Sequence, residues 1–433
     1  MFEVFKNAWK IDDLRKKIIY TLMIILVFRV GSAIPVPFLD PSTLSQMLSA
    51  NSGNLLGYLN MLTGGALSQA TLLALSISPY ITASIVIQLL TVAIPALEKM
   101  AKEGPEGQKK INKITRYSTV ALALIQSYAY YVTLKNYKAV ETFDAQWQNV
   151  LVVITIIMMF TAGAMVVMWL GERIDEKGIG NGISILLFAG IVAGGPSLVT
   201  RLWAYLQAAA AGETKYFFFI PALIIIFLLL IGFIVLMNDA ERRIPVQYAK
   251  RVVGRKQYGG QSSHIPIKVS MAGVLPIIFA SALLSIPATI EAFVTVESGS
   301  FWDGFFKLFS PGSWFYSILY FILIFAFSYF YVAIQYNPVE MANNLQKNNG
   351  TIPGIRPGRP TSDFISRIIN KVTFIGAIFL AVVAMMPVIV GAVSGMNVTI
   401  GGTTIIIVVG VALETARSLE SQMMMRHYKG FLE

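Results

Sequence analysis

"LLGYLNMLTGGALSQATLLALS", residues 55–76, sits in a chain of long apolar segments and does not read like one of them. Its apolar residues come in short runs, broken by Gly57, Asn60, Thr63, Gly64, Gly65, Ser68 and Gln69. Such a stretch is too polar to cross a hydrocarbon core and too apolar for a solvated loop. A chain that carries it needs somewhere to put half a helix.

The rest of the sequence supplies the setting. Of 433 residues, 55% are hydrophobic and only 13% charged, a balance that a soluble domain does not need and a polytopic membrane protein does. There is no cysteine, which excludes disulfides and thiolate metal sites. His264 and His427 stand far apart with no HExxH-like partner, so no metal site is expected. Taking about 20 apolar residues as enough to cross a core of about 30 Å, ten spans can be read: 18–37, 72–95, 114–134, 150–170, 183–203, 216–237, 271–290, 314–335, 372–391 and 403–419. The first has the outline of a signal peptide, with Arg15, Lys16 and Lys17 before it and Gly31-Ser32-Ala33 after. Arg29 inside it, and nine spans behind it, read instead as an uncleaved helix.

Charge sets the orientation. Of the 34 Lys and Arg residues, 28 fall in the N-terminal segment, the alternate loops 96–117, 171–182, 238–270 and 336–371, and the C-terminal segment. The positive-inside rule then puts both termini in the cytoplasm, as an even number of spans requires. Phe2, Phe5 and Trp9 recur at helical spacing among charged residues, which predicts an interfacial amphipathic helix.

The spans carry almost nothing ionisable. An ion-coupled transporter buries carboxylates or histidines near the midplane, and the spans from the fourth to the ninth have none. Arg29 is expected to snorkel to the outer interface. "GIGNGIS" (178–184) lacks a Walker lysine and follows no strand, so it reads as a flexible turn opening the fifth span. Two basic loops are more telling. Residues 238–268 predict a hairpin with Gly254 and Arg255 near its tip, and 348–364 set Arg356 among stiffening prolines and glycines. Such loops suit an anionic partner: ribosomal RNA, an acidic protein surface or anionic lipids.

Long motifs carry a resemblance. "FRVGSAIPVP" (28–37), "GGALSQATLLALSISPYITASIVIQLL" (64–90), "EGPEGQKKINKITRY" (103–117), "MWLGERIDEKGIGNGISILLFAGIVAG" (168–194) and "QSSHIPIKVSMAGVLPIIFA" (261–280) stand in order with "RRIPVQYAKR", "NPVEMANNLQK" and "PGIRPG". Over nearly the whole chain the sequence resembles the SecY family, channel subunits of the bacterial protein translocase. The resemblance implies an all-α polytopic membrane fold, with ten transmembrane helices in two inverted pseudo-symmetric five-helix halves around an hourglass pore. Residues 1–17 would be the amphipathic N-terminal segment, 18–205 the first half, and 206–433 the second, with a hinge at 201–215.

It also implies roles. Residues 55–68 would be a short plug helix, with Leu55, Leu56, Tyr58, Leu59, Gly64 and Gly65 in it. Ile77, Ile81, Ile183, Leu187, Ile278 and Ile407 would form the apolar pore ring, Leu187 standing where isoleucine is expected. Spacing agrees for the pairs 77/81 and 183/187, since residues four apart share a helix face. Thr82, Gln126 and Ile286 would flank a lateral gate between the second and seventh spans, with Ser270 where relatives carry asparagine. Arg243, Arg255, Lys256 and Arg356 would meet the ribosome or the motor ATPase SecA. Further implied partners are SecE-like and SecG-like subunits, signal sequences, and nascent or secretory polypeptides. The expected setting is the bacterial plasma membrane. The resemblance calls for no cofactor, no catalytic residue and no enzymatic activity. A secondary transporter also uses broken helices, and the empty midplane argues against that rival.

Overall fold

The computed structural model describes residues 2–42, 44, 65–136, 138–210, 215–248, 251–253, 256–258, 262–291, 300–309, 313–394 and 402–429. The first half holds α1 (Phe2–Trp9), α2 (Asp12–Gly31), α3 (Ser78–Ala93), α4 (Pro95–Lys102), α5 (Pro105–Asn136), α6 (Gln146–Lys177), α7 (Gly182–Ala193) and α8 (Gly195–Ala210). The second holds α9 (Lys215–Asp239), strands β1 (Glu241–Tyr248), β2 (Arg251–Val253), β3 (Lys256–Tyr258) and β4 (Ser262–Lys268), then α10 (Leu275–Glu291) and α11 (Phe301–Leu308). It ends with α12 (Trp314–Gln335), α13 (Pro338–Lys347), β5 (Gly350–Thr351), α14 (Arg359–Ser394) and α15 (Gly402–Lys429).

Each of the ten expected apolar segments is carried by a helix, with α7 and α8 sharing the fifth. Among the described residues, five helical stretches are long and apolar enough to cross a bilayer, and α3 with α4, bent by 101° at the break between them, makes a sixth when the pair is taken as one span. The bilayer is written on their surfaces. On α9, Phe218, Leu228 and Leu229 are 80%, 63% and 67% exposed, a belt that water would not tolerate and lipid does. The protein is a multi-pass membrane protein.

The second span differs from its expected range of 72–95. Helix begins only at Ser78, because Gly65, Ala70 and Ser76 take positive φ and hold residues 65–77 in successive turns. Pro79 then opens α3, where its missing N–H costs nothing.

Three apolar cores organise the membrane part. One belongs to the first half, with Tyr130, Leu134, Ile156 and Phe160 at its centre. Another belongs to the second, around Ile234, Ile277, Ile324 and Leu380. The third draws α2, α3, α6 and α7 of the first half onto α10 and α15 of the second. Lipid is as apolar as leucine, so close packing rather than the hydrophobic effect holds such helices together. Two small-residue contacts show it. The Ser127 and Thr161 hydroxyls of α5 and α6 lie 3.0 Å apart, and a Cβ on Gly163 of α6 would stand 1.8 Å from the Leu72 carbonyl oxygen.

Outside the membrane, β1 pairs antiparallel with β4, and β2 with β3, giving the hairpin expected at 238–268. Gly254 and Arg255, at its tip, lie outside the described residues. Ile244 and Val246 point inward onto Val332, Leu345 and Ile369, so the sheet is rooted in the second half. α1 seats Ala8 against Leu14, Ile179 and Leu419, while Trp9 stays half exposed.

Candidate functional site: an apolar constriction beside a broken span

The turns of 65–77 put non-helical backbone at membrane depth, which is tolerated only where protein or a water-filled cavity satisfies it. Protein does so here. The Leu72 N–H donates to the Ile34 carbonyl at 2.8 Å, and Val36 N–H to the Ala70 carbonyl at 3.0 Å. The Thr71 hydroxyl donates to the Ala66 carbonyl at 3.1 Å. From α5, the buried Tyr130 hydroxyl donates to the Leu67 carbonyl at 2.7 Å. Tyr130→Phe should therefore destabilise by about 1–3 kcal/mol, because a buried carbonyl loses its donor with no loss of packing. A lowered thermal midpoint in detergent would register it; an unchanged one would mean that this bond is replaceable.

This segment delivers Ile77, and there the six expected ring residues meet. Ile77, Leu187 and Ile407 are buried in the shared core, and Ile81, Ile183 and Ile278 pack against it. Ile77 precedes α3, and its carbonyl accepts the Ile81 N–H at 3.1 Å, so both side chains lie on one face of the first turn. Ile183 and Leu187 occupy the first turns of α7, Ile278 that of α10, and Ile407 lies on α15. Two helices of each half thus contribute. Their side chains have no donor, acceptor or charge. Chemically such a cluster can exclude water and yield; it cannot coordinate.

What was read as a flexible turn, 178–184, is a packed one. A Cβ on Gly178 would meet the Ile174 carbonyl oxygen at 2.7 Å, one on Gly182 the Gly171 carbonyl oxygen at 2.0 Å, and Gly180 has φ +71°. The Asp175 carboxylate accepts the Gly182 N–H at 2.7 Å, and Asn181 caps α7 through the Ser184 N–H. This turn, with Lys17, Glu414 and Gln422, lines a polar cavity of 410 Å³ between α2, α6 and α15.

The other expected residues are placed as follows. Leu55, Leu56, Tyr58, Leu59 and Gly64 lie outside the described residues; Gly65, φ +89°, enters the turns. α3 and α10 touch directly. Thr82 on α3 spends its hydroxyl on the Ser78 carbonyl, 3.0 Å away, rather than across the seam. Gln126 on α5 is half-buried and Ile286 on α10 is 48% exposed. Ser270 lines a small gap with Ser328 and Thr373. Arg243 is exposed and its Nε donates to Glu241 at 2.6 Å, Arg356 is exposed on its loop, and Lys256 opens β3. Arg29 is half-buried, and its Nη1 has no hydrogen-bond partner among the described residues.

Sequence reasoning missed that the two basic loops are one structure. β5 pairs with Gln247 and Tyr248 of β1, giving a sheet in the order β4-β1-β5. Gly350 permits it, since a Cβ there would come within 2.9 Å of the Tyr248 ring.

Comparison with known proteins agrees with this architecture. The family model for SecY matches residues 71–416. The protein translocase subunit SecY of Streptomyces galbus is 46% identical over 445 aligned residues, covering 100% of both chains. That of Thermotoga maritima is 44% identical over 439, covering 100% of this chain and 98% of that one. A solved structure of a protein-conducting channel superimposes with a TM-score of 0.65 at 19% identity, over 94% of this chain and 92% of that one. Sec61 in the canine ribosome–channel complex gives 0.62 at 17% identity, over 94% and 92%. The structural likenesses carry the fold and the full-length sequence matches carry the descent: the chain belongs to the SecY family.

Proposed function

We infer that the chain is the protein-conducting channel of a translocase, passing unfolded secretory polypeptides across the plasma membrane and releasing apolar segments sideways into lipid. The observation that carries this is the shared apolar core, where branched aliphatic side chains from both halves close on one another. Branched aliphatic residues at a constriction exclude water and ions by dewetting, and they part for a chain without binding it. Residues 55–68 act as the plug. The seam between α3 and α10 is the lateral gate, where an apolar signal segment exchanges protein contacts for lipid. Both termini face the cytoplasm.

Energy comes from outside the chain, from SecA or from translation, and the hairpin that carries Arg243 on β1 and Lys256 on β3, together with the loop of Arg356, is the docking surface for either. SecE-like and SecG-like subunits complete the assembly, and anionic lipids meet the basic loops. Sec61 and the yeast Ssh1 complex, both similar in fold to this chain, are seen with ribosomes, which supports a ribosome as a partner here.

The absence of cysteine makes the test direct. Single cysteines at Ile81, at Ile278 and at the lipid-facing Leu228 are combined with a stalled precursor carrying one cysteine. Disulfide adducts at Ile81 and Ile278 and none at Leu228 are expected. A precursor in transit that never links to Ile81 or Ile278 would place the path elsewhere and sink the reading.

A further inference from the structure

Residues 301–316, FWDGFFKLFSPGSWFY, are absorbed neither by the ring nor by the docking sheet. Helical geometry sorts α11 into two sides. Phe301, Trp302, Phe305 and Leu308 share one arc at 100° per residue, and Asp303 and Lys307 fall on the opposite one. Lys307 Nζ donates to Asp303 at 2.8 Å, so the polar side is internally neutralised. The aromatic rings continue past the helix. Phe305 meets Phe309 at 5.0 Å between centroids, and Phe309 meets Phe315 at 5.5 Å.

The protein itself covers only what borders this arc. Phe306 is buried and Phe309 packs on the core of the second half, while Phe301 and Trp302 are 81% and 56% exposed. Trp314, at the start of α12, is 71% exposed and runs on into exposed Ile318 and Ile322 of the same helix. The uncovered aromatic face is thus continuous with the lipid-facing side of a spanning helix. Its level is also fixed. α10 begins beside the basic sheet and α12 leads back towards it through α13 and β5, so α11, which touches both, lies at their far ends.

We propose that α11 and Trp314 form an interfacial anchor, lying flat at the boundary between acyl chains and head groups on the side opposite the basic sheet. Tryptophan and phenylalanine on one side and an ion pair on the other are what that boundary selects. The occupant of the exposed arc is lipid. Seated there, α11 fixes the far end of α10, the helix that meets α3 at the seam.

The test uses the full chain in proteoliposomes, with Trp302 as its sole tryptophan and the other five replaced by phenylalanine. Bromine atoms high on the acyl chain should quench Trp302 more than bromines near the chain's methyl end, and aqueous iodide should quench it weakly. Dominant quenching by iodide would put the ring in water. Protection from every quencher would mean that protein covers it. Either result overturns the anchor. If the tryptophan replacements unfold the chain, Phe301→Cys carries a nitroxide instead. Its collisions with oxygen should exceed those with a water-soluble nickel chelate, and the reverse order overturns the proposal equally.

Discussion

Gly163→Ala should leave little folded protein in the membrane, although it adds one methyl group. The new Cβ would lie 1.8 Å from the Leu72 carbonyl oxygen and 2.8 Å from its carbonyl carbon. These are backbone atoms, held in place because the Leu72 N–H is bonded to Ile34 on the other side. Nothing flexible can move away, so α6 must part from the 65–77 turns. Ordinary overpacking costs about 1–3 kcal/mol and a backbone collision exceeds that. Against a total stability on the order of 5–15 kcal/mol, the loss approaches what a domain can bear. Gly232→Ala on α9 is the matched control, since nothing lies within 4 Å of its Cβ. It should be neutral, or stabilising by up to about 1 kcal/mol, as alanine is the better helix former. Size-exclusion profiles and thermal midpoints of the two variants in detergent decide the matter. Equal behaviour would mean that the broken span does not depend on close approach of α6.

These positions show what the sequence could and could not tell. The spans were legible because a long apolar run has few other uses, and each expected segment does carry a helix. The start of α3 was not. Residues 72–77 are as apolar as the helix that follows, and the positive φ values of Ala70 and Ser76 leave no mark in composition. The turn 178–184 was misread as flexible for a related reason. A glycine that allows two backbones to touch looks like one that loosens a loop, and the Gly171 carbonyl beside Gly182 is a tertiary fact. The hairpin at 238–268 was legible from its β-favouring residues, whereas β5, only Gly350 and Thr351, is too short for any periodicity. For the constriction, spacing alone gave the shared faces of 77/81 and 183/187. That Ile278 and Ile407 close upon them came from family resemblance, because no local signal relates residues so far apart in the chain.

The second large effect concerns leakage rather than folding. Ile81→Asn combined with Ile278→Asn should raise ion flux through reconstituted channels at rest by at least about tenfold, because a hydrophobic gate works by refusing water and an amide invites it. Each asparagine brings donors and acceptors into a largely apolar core, at a cost of about 1–3 kcal/mol apiece where they stay unpaired in the closed arrangement. Both positions pack at the edge of the shared core rather than at its centre. Hydration there relieves the unpaired groups and opens the contact between the halves without dismantling either half's own core. Ile81→Leu with Ile278→Leu keeps the surface apolar and should stay closed. Leu228→Asn, on the lipid-facing side of α9, should not leak even if it lowers stability. The measurement is ion efflux from sealed proteoliposomes without translocating substrate. A tight double-asparagine channel would show that the barrier lies elsewhere along the pore. A leak confined to that variant would tie the seal to side chains that the two halves contribute jointly, so that any motion parting the halves must also break it.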